Sequence, residues 1–471
     1  MPCKKPLFAS CSLFLAVFLA LGSPATAKWK EQVLYSFQGG TDGATPAGGV
    51  VFDKQGNLYG ATQQGGGSNC SPMAACGTVY QLAPPAKQGD PWTETVLHVF
   101  QGKQYNDGEF PSGGVIADAA GNIYGTTAYG GTGDCVLLGI KGGCGTVFEL
   151  SPPQTKGGKW PYAILYSFAT AKQGYVPWGD LVFDSAGNLY GATYFGGGKG
   201  TTCDAFYKYC GAIYELSPPQ TKGGKWTEQI LHSFAGGADG ANPNGGLVLD
   251  REGSIYGTTY IGGYNCPHNS GQGCGTVFKL GPPTVKGGGW TEKQLHVFKN
   301  GDDGAQPSAG VILDTTGSLY GGAEGGTEGG GIVFRLTKSS RSPWQETILY
   351  SFSSNSYGYA PAISLFGETG DIYGTTNVGP GESLAGSVFR LKPSSGRGPW
   401  TISILHGFTN QPDGAFPNAP IILESGSIFG ATQYGGTGSN CARYCGTVYE
   451  VSPKTQTKSD LAVPALRAYG P

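Results

Sequence analysis

Four histidines, His98, His232, His296 and His406, and five aspartates, Asp42, Asp107, Asp239, Asp303 and Asp413, are the residues whose types could assemble chemistry. Imidazoles beside carboxylates hold metal ions or move protons. Spacing removes the histidines from that role: each follows a tryptophan by six residues, and Tyr35, Tyr166 and Tyr350 fill the same place in other stretches of the chain. A position that accepts Tyr and His alike is structural. The aspartates recur within Asp-Gly-x-x-Pro, with Gln173 and Tyr357 standing in for two of them. An Asx-turn ahead of Gly and Pro accounts for that pattern. The alternative is a ring of acids able to bind calcium or polar sugars, although no Asp-x-Asp-x-Asp loop accompanies it. The acids outside any repeat, Glu109, Glu324, Glu328, Glu368 and Glu382, are not singled out by their neighbours. Gly-x-Ser-x-Gly, His-Glu-x-x-His and a phosphate loop are all missing, so hydrolase, metalloprotease and nucleotide chemistry have no support.

Cysteines carry the firmer signal. Beyond Cys3 and Cys11 they fall as Cys70/Cys76, Cys135/Cys144, Cys203/Cys210, Cys266/Cys274 and Cys441/Cys445, and two further repeats lack both members together. Joint absence is the mark of a covalent pair, so each pair is read as a local disulfide. Zinc is the rival reading, prompted by His268 beside Cys266, but the spacing varies and no repeat supplies four ligands. No metal and no cofactor is expected.

These residues must be positioned by a repeat. Trp29, Trp92, Trp160, Trp226, Trp290, Trp344 and Trp400 each begin a copy, spaced by 54 to 68 residues, with Leu five and Phe eight residues later. Each copy holds four short strand-like segments separated by turn residues. They are the Trp segment, a Gly-Gly-Val-type segment (48–53 in the first copy), a Leu-Tyr-Gly-Ala-Thr-type segment (58–62) reached through an Asp-x-x-Gly turn, and Gly-Thr-Val-Tyr-Gln-Leu (77–82). Four antiparallel strands repeated seven times are the sequence form of an all-β, seven-bladed β-propeller. A β-solenoid is the competing architecture, but it needs shorter coils and no tight hairpins. Residue size orders the blade: the glycine-rich segment lines the crowded axis and the Trp segment lies outermost. A blade then takes its outer strand from the next repeat, and residues 29–37 supply the outer strand of the last blade and close the ring.

This order gathers the Asp-Gly-x-x-Pro loops and the cysteine loops on one face, where loop sequences vary most and binding is expected. Trp178, the only tryptophan outside the repeat position, is placed at the mouth of the channel on that face. Tyr129, Phe195, Phe206, Tyr207, Tyr209, Tyr264 and Tyr434 share it. An indole there stacks on a sugar face or plugs a wider gap between blades.

Basic and acidic residues number 30 and 32, with no basic run, so a nucleic-acid partner is not expected. Lys4 and Lys5, an apolar core from Leu13 to Leu21 and Ala25-Thr26-Ala27 read as a signal peptide over residues 1–27. The propeller then spans 28–453, ahead of a polar tail over 454–471. The mature chain is expected to be exported, off the membrane once cleaved, and monomeric.

Phe-x-Gly-Gly-x-Asp-Gly-Ala-x-Pro (37–46 and 234–243), Asp-x-x-Gly-Asn-Leu-Tyr-Gly-Ala-Thr (53–62 and 184–193) and Gly-Thr-Val-Tyr/Phe recur in fixed order. This resembles the GloVer tandem repeat of exported bacterial proteins called choice-of-anchor tandem-repeat proteins, over nearly the whole mature chain. The resemblance brings no catalytic residues. Such proteins often end in a sorting signal, which is not found here, so periplasm or medium is favoured over surface anchoring. The expectation is a non-enzymatic binding module for carbohydrate or an extracellular protein. A propeller enzyme acting on polysaccharide, as lyase or glycosidase, and a purely structural protein remain as alternatives.

Overall fold

The computed structural model describes residues 29–454 apart from 68–75, 88, 138–139, 199–209, 222, 264–265, 267–272, 286, 339–343, 354–358, 368, 379–384, 395–399, 419–420 and 442–444. Among the described residues, seven antiparallel sheets each run inner, second, third, outer strand and are arranged as a β-propeller, and a small two-stranded sheet of Val136–Leu137 and Ile140–Lys141 stands beside them. The solenoid alternative is thereby removed. Blade 1 consists of Ala44–Phe52, Leu58–Gln64, Thr78–Ala83 and Thr93–Val99. The inner and outer strands of the others are Gly108–Pro111 with Tyr162–Ser167 in blade 2, Tyr175–Phe183 with Thr227–Ser233 in blade 3, and Ala241–Leu249 with Thr291–Val297 in blade 4. Blade 5 has Val311–Leu313 with Gln345–Ser353, and blade 6 has Tyr359–Phe366 with Thr401–Gly407. Blade 7 is made of both chain ends: Trp29–Ser36 lies antiparallel to Thr447–Pro453, with Glu31 opposite Val451. This is the closure expected from the unpaired position in the last repeat.

The aromatic spacing within the repeat sets the blade-to-blade packing. Phe37, Phe100, Phe168, Phe234, Phe298, Phe352 and Phe408, the residues eight after each Trp, are at most 1% exposed. Each meets an aromatic ring on the third strand of the following blade edge-on, from Phe37 on Tyr80 at 5.0 Å to Phe298 on Phe334 at 5.3 Å. Such a pair adds about 0.5–1.5 kcal/mol beyond the area it buries. The third-strand ring lies over the glycine of Leu-Tyr-Gly: a Cβ on Gly60 would come within 2.3 Å of the Tyr80 hydroxyl, and one on Gly321 within 2.3 Å of Phe334. The repeat tryptophans are half-buried, packing on the tyrosine of the preceding blade, as Trp160 does on Tyr59 at 5.7 Å and Trp290 on Tyr190 at 6.3 Å.

Glycines also let the inner strands crowd the axis. A Cβ on Gly113 would sit 2.4 Å from Gly179 O, and one on Gly179 the same distance from Gly245 O. The hairpin turns on the opposite face are held by the Asp of Asp-x-x-Gly. Asp53 Oδ1 accepts from the Gln55 and Asn57 amides, its Oδ2 accepts from the Tyr59 hydroxyl, and Gly56 takes φ +83°. The same clamp forms at Asp118, Asp184, Asp250 and Asp314.

Candidate functional site

The face bearing the Asp-Gly-x-x-Pro and cysteine loops is built on a second seam contact. The proline of each inner strand rests on the glycine that opens the third strand of the blade before it, so a Cβ on Gly211 would lie 2.5 Å from Pro243 Cδ. The residue before that proline is left-handed in every blade: Thr45, Phe110, Val176, Asn242, Gln306, Ala360 and Phe416 have φ between +49° and +61°. Non-glycine residues pay for this conformation. A hydrogen bond across the seam compensates where the amide donates to the second cysteine of the preceding blade, as Phe110 N does to Cys76 O at 3.0 Å and Asn242 N to Cys210 O at 2.6 Å.

Each repeat aspartate closes its own loop from behind and is not an Asx-turn. Asp239 accepts from the amide of Ala235 four residues earlier, and Asp413 likewise from Thr409. The carboxylate also meets the Tyr-or-His position of the outer strand: Tyr35 donates to Asp42 at 2.6 Å, and His98, His232, His296 and His406 lie 2.9 to 3.2 Å from Asp107, Asp239, Asp303 and Asp413. Where Gln173 replaces Asp, its amide donates to Tyr166 at 2.6 Å. Tyr and His alternate because either can bond the same acceptor. The aspartates therefore serve the loops.

Across the seam, a glutamate from the next outer strand approaches most of these pairs. Burial pushes Glu31, Glu94 and Glu292 up to about 7. At blade 2 Tyr162 takes the place of that glutamate, donating to Asp107 at 2.6 Å and stacking on His98 at 3.7 Å. Among the described residues, His296, Asp303 and Glu346 are the one group whose ligand atoms lie within 4.8 Å of one another, close enough to share a cation. Burial and the neighbouring Asp303 carboxyl hold Glu346 well above the ordinary carboxyl value.

Disulfides join Cys135 to Cys144, Cys266 to Cys274 and Cys441 to Cys445, with Cα atoms 5.0 to 5.4 Å apart. Cys76 and Cys210 are also disulfide-bonded; Cys70, Cys203 and His268 lie outside the described residues. The remaining aromatic candidates divide. Phe206, Tyr207, Tyr209 and Tyr264 lie outside the described residues. Phe195 is 8% exposed, stacked on Tyr175. Tyr129 and Tyr434 are half-buried and meet the left-handed Phe110 and Phe416 edge-on at 5.9 and 5.5 Å. Trp178 is half-buried, 6.2 Å from Tyr194, and packs on the core between blades 2 and 3. At its position elsewhere Ser112 and Asn418 bond a proline carbonyl of the next inner strand, at 2.6 and 2.7 Å, so Trp178 exchanges a polar tie for ring contact.

One feature escaped the sequence reading. Blade 5 has no cysteine loop: its second strand ends at Ala323, its third begins at Gly329, and a cleft of ≈ 200 Å³ opens beside this short connection. Asn300, Gln306, Glu324 and the exposed Tyr359 line it. The Tyr359 hydroxyl donates to Glu324 Oε2 at 3.4 Å, and burial raises the Glu324 carboxyl above its ordinary value. The available signal was the combination of a shortened loop with an acid where other repeats carry Gln63, Tyr194, Tyr260 or Asn377.

The sequence matches the Gloeobacter/Verrucomicrobia repeat over residues 23–201, 135–341 and 266–463, and the chain belongs to that family. No curated protein matches it. Similar solved structures include polysaccharide lyase Uly1, at 11% identity and TM-score 0.49 over 89% of this chain and 92% of the lyase. A PQQ-bound aldose sugar dehydrogenase from Streptomyces coelicolor is similar at 13% identity and TM-score 0.42 over 90% and 98% of the two chains. The PQQ domain of a pyranose dehydrogenase from Coprinopsis cinerea is similar at 10% identity and TM-score 0.44 over 90% and 95%. Likeness at this level says nothing about what this chain binds.

Proposed function

We propose that this member of the Gloeobacter/Verrucomicrobia repeat family is an exported, monomeric, non-enzymatic propeller that binds carbohydrate through its loop face. The observation that carries the reading is a set of aromatic pairs beside the loops of that face, Phe110 with Tyr129, Trp178 with Tyr194, and Phe416 with Tyr434, which the reading takes as lining the channel mouth. Aromatic rings at a rim offer apolar faces to sugar C–H groups and a hydroxyl or indole N–H to sugar oxygens. Export is supported by the local disulfides, which persist in oxidising compartments. A monomer is supported by the closure of blade 7, which pairs the strand that would otherwise be an open edge. The aspartates at 42, 107, 239, 303 and 413 do not enter the proposal, because the loops and the Tyr or His partners use them.

The test is a glycan array probed with the purified mature protein, followed by titration of the strongest hit against Trp178→Ala, Tyr129→Ala and Tyr434→Ala. Binding weakened at least 10-fold by one or more of these, with the melting temperature nearly unchanged, is expected. An array without a hit, or cleavage of a glycan by the protein, overturns the reading.

A further inference from the structure

The blade-5 cleft is a cavity that the mouth aromatics do not explain. It lies where the disulfide loops of other blades have no counterpart. Its polar lining comes from separate elements: Asn300 and Gln306 from the loop entering blade 5, Glu324 from the short connection, and Tyr359 from the inner strand of blade 6. Ala305 and Gly325 are its small residues. Ala305 and Glu324 bond each other through both backbone groups at 2.7 Å, so the wall carrying the carboxyl is fixed to the loop carrying Gln306. Tyr359, 37% exposed, presents its ring, and Tyr260 on blade 4 is close enough to feel the charges of Glu324 and Tyr359.

Two properties limit what can enter. At ≈ 200 Å³ the space is below the roughly 300–1,000 Å³ typical of drug-sized ligands. It admits one ring. Its polar side chains are two amides, a phenol and a carboxyl, all able to bond hydroxyls, the Cys266 half of the blade-4 disulfide adds an apolar wall, and no Lys, Arg or His is among the described residues lining it. Among these described residues a carboxylated or sulfated ligand would find no counter-charge and would face Glu324, which leaves the desolvation of its anion uncompensated by them.

We propose that the blade-5 cleft is a subsite for one uncharged sugar ring, a chain end or side branch, held by the amides of Asn300 and Gln306 and stacked on Tyr359. The assignment rests on the carbohydrate reading above and adds a place and a ligand class to it. The subsite is separate from the mouth aromatics and acts with them on a longer glycan or alone on a terminal ring.

Saturation-transfer NMR on the intact mature protein tests this with methyl β-D-glucopyranoside, methyl β-D-galactopyranoside and N-acetylglucosamine as neutral probes and sodium glucuronate as the charged one. At least one neutral probe is expected to bind, with glucuronate at least 10-fold weaker. Tyr359→Ala and Glu324→Ala are each expected to weaken the neutral probe at least 5-fold, with the melting temperature as a folding control. Trp178→Ala should leave it unchanged. Neutral-probe binding that survives both cleft variants, or glucuronate bound as well as the neutral sugars, overturns the subsite. Failure of all neutral probes on a protein that scores on the array also overturns the subsite while leaving the mouth reading intact. A blank array with no probe bound removes both.

Discussion

Gly211→Ala is the sharpest test of the proline-on-glycine seam. The backbone there has φ +94°, where an L side chain costs about 1–2 kcal/mol. The added methyl would lie 2.5 Å from both Pro243 Cδ and Thr193 O. Neither is a flexible side-chain end: relief at Pro243 moves blade 4 against blade 3, relief at Thr193 shifts the second strand of blade 3 itself, and overpacking of this kind costs about 1–3 kcal/mol. Gly187→Ala in the same blade is the matched control, with φ +84° and no atom within 4 Å of the new Cβ. It keeps the conformational cost, partly offset by about 0.4–1 kcal/mol from the less flexible unfolded chain. The destabilisation should therefore be about 3 kcal/mol for Gly211→Ala and about 1 kcal/mol for Gly187→Ala, read from the midpoints and slopes of equilibrium urea unfolding. Adding Pro243→Ala should recover part of the Gly211→Ala loss, with a coupling of about 1 kcal/mol or more in the double-mutant cycle. If the two glycine variants agree within about 0.5 kcal/mol, or the cycle shows no coupling, the blades do not meet through this contact.

The seam glutamates make stability depend on pH. Burial raises Glu31, Glu94 and Glu292 to about 7 in the folded protein, above the ordinary carboxyl value. Their stabilising contribution is full below pH about 4.5 and is lost as pH rises through about 7, because the folded state holds protons that the unfolded chain releases. After allowance for solvent screening this is worth about 1 kcal/mol for each residue. The wild type should melt lower at pH 8 than at pH 5, Glu292→Gln should narrow the gap, and a profile flat between these pH values would contradict the seam electrostatics. Removing residues 29–36 should expose the edge of Thr447–Pro453 and produce oligomers or aggregates in light scattering, whereas a well-behaved monomer of this deletion would show that ring closure is dispensable.

The sequence carried the ring because its recurrent residues have single geometric jobs. Phe eight after Trp crosses a seam, the glycine of Leu-Tyr-Gly lies under an aromatic ring, and Asp before x-x-Gly clamps a hairpin. Each repeats seven times or nearly so, and repetition amplifies a weak signal. The equivalence of Tyr and His was also readable as structural, though their acceptor was not, since Asp42 and its equivalents bond backwards in the chain to amides and sideways to the outer strand. The cleft was illegible for the opposite reason. Glu324 and Tyr359 occur once, 35 residues apart, and meet only because blade 5 is followed by blade 6 at a fixed angle. A position without copies gives a repeat-based reading nothing to compare.

Because the tryptophan strand of each repeat completes the blade before it, the unit of sequence and the unit of structure are offset by one strand. Every repeat is therefore a staple across a seam, and no blade apart from its neighbours is encoded by a contiguous stretch of one repeat. Duplication or loss of one whole repeat then changes the number of blades without leaving a severed sheet. Such an event alters the width of the ring in a single step, and with it the bore at the axis and the angle between neighbouring loop-face elements. A chain built this way can change its ring size by copying one segment while the joints between segments stay chemically the same.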